Sequence, residues 1–259
     1  MSLTNEEVQR LEEALKATWA VPFVDDIEGF VWESIFHYIK QLSIPDPLPI
    51  WGREKLPRGT RRPTGQEPAP KPQKGKTKSL FDAVDKANKI GWSLKALQCT
   101  NLAENANFEF VIQRASIFGK SEQLGFTEKL SLQTPPADLG RAIAKHWNDK
   151  VLNDMREQSV EEARLVILIK SLDRKQYIYI ERPLALFKAE DFEWAWSNEK
   201  FVGLQAKQKL DGRPALKWYH SQTQLFECLT LPPNATRIQI EPKRMEVGKF
   251  VHTIPELLL

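Results

Sequence analysis

The apolar positions of this chain change their period along its length. Between residues 4 and 42 they recur at helical spacing, whereas beyond residue 164 they come in short continuous or alternating runs. Thr4-Asn5-Glu6-Glu7 joins an N-cap hydroxyl to a glutamate three residues on, so a first helix is expected to run to about Thr18, where Val21-Pro22 closes it. Asp25 or Asp26 then caps a second helix reaching about Leu42, with Ile27, Phe30, Val31, Ile35, Tyr38, Ile39 and Leu42 forming a broad apolar stripe. Residues 102–116 are expected to be helical with Leu102, Phe108, Val111, Ile112 and Ala115 inward. Residues 137–158, which follow Pro135-Pro136, place Ile143, Trp147, Val151 and Met155 on one helix face.

The later runs read as strands. LVILIKS is continuous enough for a buried strand, and QYIYIERPLALF supplies its neighbour after a turn at Ser171-Leu172-Asp173-Arg174-Lys175. FVGLQAK, ALKWYHS, QLFECLTL and ATRIQIEP follow, separated by turn signals such as Asp211-Gly212 and Pro232-Pro233. The expected class is therefore α/β, a mixed β-sheet core flanked by helices, helical in its N-terminal part and β-rich in its C-terminal part. One domain over residues 1–259 is sufficient, with residues 200–259 as a β-rich C-terminal extension.

The stretch KSLFDAVDKANKIGWSLKALQ, residues 78–98, carries the most chemistry. Residues 79–84 and 90–97 suit two strands, and the polar segment between them suits a turn. Paired antiparallel, such strands turn Asp82 and Lys95 toward one pocket, and Ser93 shares a face with Lys95. A carboxylate there suits Mg²⁺, and an ammonium suits a developing phosphate charge or an attacking water. A surface hairpin bearing Asp and Lys is also an ordinary structural element.

With this order of parts the chain resembles the PD-(D/E)XK nuclease superfamily, in particular type II restriction endonucleases. In that pattern an Asp precedes a strand bearing acid-x-Lys, and here Asp82 precedes Ser93-Leu94-Lys95. Ser93 stands where the usual motif has Glu or Asp. The resemblance implies a Ser-x-Lys variant in which the missing carboxylate comes from a Glu in the following helix, a role that falls on Glu109. The resembled enzymes often carry a further Glu on the helix before the hairpin, a few residues after a Gly, which Gly29 and Glu33 match. Asp82 and Glu109 would then hold Mg²⁺, Lys95 would position or activate the water, and Ser93 would fill the vacated acid position. Glu33, Glu28 and Asp85 remain alternatives for the second carboxylate. The resemblance implies a restriction-endonuclease-like fold and a sequence-specific endonuclease acting on double-stranded DNA as a homodimer.

Charge changes the picture in one place. The net charge is only +3, yet between Trp51 and Lys78 nine basic residues face two acids, with five of the 17 prolines. Residues 51–78 thus read as an extended basic arm, in which Arg58, Arg61, Arg62, Lys74 and Lys76 are candidate DNA contacts and a solvated linker is the plain alternative. Gln113 and Arg114 are further candidates for base or phosphate contacts. Trp194, Trp196 and Trp218 lie among Lys200, Lys207, Lys209, Arg213 and Lys217, where core packing is the expectation and base stacking the alternative.

Cys99 and Cys228 suggest no disulfide framework and read as reduced thiols of a cytoplasmic protein, and the four histidines have no zinc-site spacing. No phosphate-binding glycine loop, no G-x-S-x-G, no signal peptide and no apolar run of membrane-spanning length is present in the sequence. Two other functions fit the same features: a non-catalytic nucleic-acid-binding protein using the arm and the C-terminal strands, or a protein-interaction domain.

Overall fold

The computed structural model describes residues 3–24, 26–27, 29–42, 79–102, 104, 106–114, 120–198, 200, 203–220, 223–247 and 249. The basic arm, with Arg58, Arg61, Arg62, Lys74 and Lys76, lies outside the described residues, as do Asp25 and Glu28.

The chain is an α/β protein with two sheets. Helices α1 (Asn5–Ala20) and α2 (Phe30–Ile39) lead into strands β1 (Ala83–Asp85), β2 (Ile90–Cys99) and β3 (Asn107–Arg114). The long helix α3 (Pro136–Glu157) precedes β4 (Glu162–Ser171) and β5 (Gln176–Pro183). Then come β6 (Phe192–Trp196), β7 (Gly203–Gln208), β8 (Pro214–Tyr219), β9 (Gln224–Thr230) and β10 (Thr236–Gln239). The first sheet has the order β1-β2-β4-β5-β10 and is mixed, because β2 and β4 run parallel while the other pairs are antiparallel. The second is antiparallel, in the order β3-β9-β8-β7-β6.

The first sheet is covered on both faces. Trp92, Leu94, Val166, Leu168, Tyr177 and Tyr179 point into a core shared with α1 and α2, while Leu165, Ile167, Ile169, Ile178 and Ile180 point into a second core shared with α3 and the second sheet. Two buried faces leave no polar side for β4, which explains the unbroken apolar run in LVILIKS. Trp218 is fully buried, and Trp194 and Trp196 pack against the second core, as core packing requires.

Three sequence expectations need correction. Within the helix expected over residues 102–116, Asn107–Arg114 instead form β3, because Phe108, Phe110 and Ile112 alternate with more exposed neighbours at period two and enter the core. Helix α2 is not capped by Asp26, whose carboxylate instead accepts from the Ile27 N–H and pairs with Lys170; the helix begins after Gly29, whose φ of 48° suits a residue without Cβ. The C-terminal strands are not an extension, since β10 joins the first sheet and β7, β8 and β9 share the second with β3, far earlier in sequence. The short alternating strand β6 was not foreseen.

Helix α1 carries the expected capping box between Thr4 and Glu7. The other carboxylate oxygen of Glu7 pairs with Lys40 at 3.0 Å, and Lys40 also reaches Glu181 at 3.0 Å. Glu181, buried on β5, further accepts from Trp92 Nε1 at 3.0 Å, an Arg164 guanidinium nitrogen at 2.9 Å and the Tyr179 hydroxyl at 2.8 Å. Burial alone would raise its pKa, but Lys40, the Trp92 N–H and Arg164 outweigh that and hold it at about 2. This network ties the end of α2 to the sheet. The segment before α2 is tied as well, because the nearly buried Lys170 of β4 donates to the Ile27 carbonyl at 3.0 Å and pairs with Asp26.

Candidate active site

Strand β1 is short, and the segment before it turns away from the ladder at Phe81. The Phe81 ring seats on Gly91 of β2, where a Cβ would stand 2.9 Å from the ring, so only glycine permits this approach. Asp82 is thereby held beside β2. Its N–H donates to the Trp92 carbonyl at 2.9 Å, and its Oδ2 accepts from the Leu94 N–H at 2.8 Å. The carboxylate thus sits on the backbone amide that separates Ser93 from Lys95. Its other oxygen makes no hydrogen bond among the described residues.

Beyond Trp92 the edge of β2 loses the β1 ladder, and a cleft of about 420 Å³ opens farther along, at residues 95–97. Lys95 lines it with Val111, Gln113 and Arg114 of β3 and with Gly29 at the start of α2. Gln113 is nearly buried, and its Nε2 lies 3.4 Å from Nε2 of His146 on α3, a histidine whose pKa is lowered by burial. Glu33 follows one helical turn after Gly29, donating its N–H to the Gly29 carbonyl at 3.0 Å, and is half-buried. Both ends of α2 are anchored to the first sheet, so Gly29 and Glu33 have a fixed place relative to β2.

The remaining candidates are used differently. Ser93 is 1% exposed, opposite Leu165, and its hydroxyl has no hydrogen-bond partner among the described residues. A longer acid at this packed position would be buried and costly, which gives a physical reason for serine. Asp85 builds the hairpin turn: its carboxylate accepts from the Ala87 N–H at 2.9 Å, the Asn88 N–H at 3.0 Å and the Asn88 side chain at 2.7 Å. The Asn88 side-chain bond, first, lowers its pKa.

Glu109 lies on a strand rather than a helix, and it forms an ion pair with Lys217 on β8. Like Asp82 and Glu33, it does not line the cleft beside Lys95. Alternation in Asn107-Phe108-Glu109-Phe110 was the signal for this placement. What the sequence did not disclose was the approach of Gln113 and Arg114 to Lys95, because it depends on how β3 joins the second sheet.

Among the described residues no group of three or more His, Cys, Asp or Glu side chains is arranged to hold a metal. Mg²⁺ commonly needs only one or two carboxylates, with waters and substrate phosphate supplying the rest. Asp82 keeps one oxygen not bonded to Leu94, and Glu33 is the half-buried acid of α2. Among the described residues no helix is long and apolar enough to cross a membrane. Comparison with protein-family models, characterised proteins and solved structures finds no match.

Proposed function

We propose that the protein is a Mg²⁺-dependent endonuclease of double-stranded DNA, of the restriction type and acting as a homodimer. The observation that carries this is the hairpin geometry: the Asp82 carboxylate is bonded to the amide between Ser93 and Lys95, and Lys95 lines a polar cleft with Gln113 and Arg114. An acid and a lysine held by one backbone unit suit an in-line attack on a phosphodiester. A bound Mg²⁺ would polarise the phosphate and make water a better nucleophile at neutral pH. Asp82 and Glu33 are the residues to hold it. Lys95 donates hydrogen bonds to the non-bridging oxygens or orients the water, and Arg114, with its planar fork, holds a neighbouring phosphate.

Glu109 is given no metal role here, because it is engaged with Lys217 outside the cleft. Glu109→Ala is accordingly expected to leave cleavage within about twofold of wild type and to cost about 0.5 kcal/mol of stability, as partly exposed ion pairs do. A thermal melt and a cleavage time course check both. Loss of cleavage in a folded Glu109→Ala protein would restore it as the second acid.

Binding without hydrolysis is the second reading, favoured by the lack of a three-carboxylate cluster among the described residues. Incubation of mixed-sequence plasmid with Mg²⁺ separates the two. Discrete fragments from wild type, absent with Asp82→Ala and Glu33→Gln, support hydrolysis at this cleft. Salt-dependent DNA binding without cutting supports the alternative.

A further inference from the structure

A second concavity, of about 660 Å³, lies away from Lys95 and is lined by Lys129, Ser131, Gln133, Lys200 and His220 over a floor of Leu130 and Leu132. The polar groups come from three separate parts of the chain: the loop before α3, the connection between β6 and β7, and the end of β8. Among the described residues no carboxylate lines it. Convergence of two ammonium groups, a hydroxyl and an imidazole on one hollow is the donor set of an anion site.

Strand register fixes where this hollow lies relative to the cleft. Arg114 pairs with Gln224, Gln224 with Tyr219, and Tyr219 with Gly203, so these residues form one row across β3, β9, β8 and β7. Arg114 lines the cleft at one end of the row, while His220 directly follows Tyr219 and Lys200 shortly precedes Gly203. Both concavities therefore open at the same end of the second sheet.

We propose that this hollow binds a phosphate of the DNA backbone, with Lys129 and Lys200 as its cations and His220 taking up a proton as the anion docks. The second part rests on the surroundings of His220. Its ring stands edge-on to Trp218, with centroids 5.6 Å apart, and burial, followed by the nearby Lys129, lowers its pKa. Lys129 is the cation acting on it, and Lys200 lines the same hollow. An anion between these groups reverses the repulsion, so the imidazolium forms on binding and affinity rises as pH falls. That the phosphate belongs to DNA rests on the proposed function; that the hollow takes phosphate does not.

The test uses the full chain with a fluorescent duplex in EDTA, read by anisotropy over a range of salt. The Lys129→Ala/Lys200→Ala double variant is expected to bind about tenfold more weakly, with the slope of log affinity against log salt shallower by about one phosphate's worth, roughly 0.9. The arginine pair restores both. His220→Gln is expected to lose the rise in affinity between pH 8 and pH 6 while keeping its circular dichroism. Unchanged affinity and slope in the double variant overturn the proposal, even if plasmid cleavage at Lys95 is observed. A shallower slope with no cleavage by wild type keeps this site and rejects the nuclease. If millimolar inorganic phosphate binds the hollow and the duplex does not compete with it, the backbone assignment is overturned in favour of a free phosphate ligand.

Discussion

Replacing Lys95 by alanine is expected to slow plasmid cleavage by a factor of about 10² to 10³, the usual cost of deleting one donor aimed at a transition-state charge. The loss should fall on the single-turnover rate at saturating DNA and leave duplex affinity within a few-fold, because an ammonium near the scissile phosphate acts most strongly as charge develops. Folding should be unaffected. Lys95 lines an open cleft at the sheet edge rather than a packed core, so truncation creates no cavity. Lys95→Arg should recover only part of the rate, since a planar fork replaces a compact point charge. A Lys95→Ala protein that cuts as fast as wild type would remove this cleft from the chemistry.

Glu181→Ala is expected to cost about 3 kcal/mol of unfolding free energy, the equivalent of a carboxylate pKa moved from its ordinary 4.5 down to about 2. The substitution leaves Lys40 with Glu7 and Arg164 with Glu162, so neither cation becomes isolated. It does strip the Trp92 N–H and the Tyr179 hydroxyl of their shared acceptor. The sign of the pH dependence follows from the depressed pKa. The stabilisation is fully present above the unfolded value near 4.5 and is lost as pH falls toward 2, because only the unfolded chain takes up the proton across that window. Urea unfolding of wild type and variant at pH 7 and pH 3 measures it: the difference should be large at neutral pH and shrink in acid. A difference under 1 kcal/mol at pH 7 would show that burial of the carboxylate cancels what its partners contribute.

Much of the fold was legible because local and global demands agree. Thr4 and Glu7 cap α1 as their spacing predicts, and the unbroken apolar run in β4 follows from a strand covered on both faces. Residues 102–116 misled for a physical reason. Phe108, Val111, Ile112 and Ala115 fall at helical spacing, while Phe108, Phe110 and Ile112 also fall at strand spacing, and the second sheet decides between them. Because β3 is a strand with a bulge between Val111 and Gln113, the cleft receives Gln113 and Arg114 rather than Glu109. The bond of Asp82 to the strand that carries Lys95 was readable, since hairpin pairing is a local matter. The place of Gly29 beside Lys95 was not, because it depends on the buried contact of Lys170 with Asp26 and Ile27, far apart in sequence.

The parallel pairing of β2 with β4 has a consequence for the life history of the molecule. Ile90 meets Glu162 and Cys99 meets Ser171, and everything between, including β3 and α3, must be threaded before that ladder can close. Closing so long a loop is slow, so the hairpin bearing Asp82 and Lys95 forms early as a local unit, while its cleft walls arrive late. On the proposed function, a chain still emerging from the ribosome would carry the acid and the lysine without the cleft, and cutting would begin only with completion of the fold.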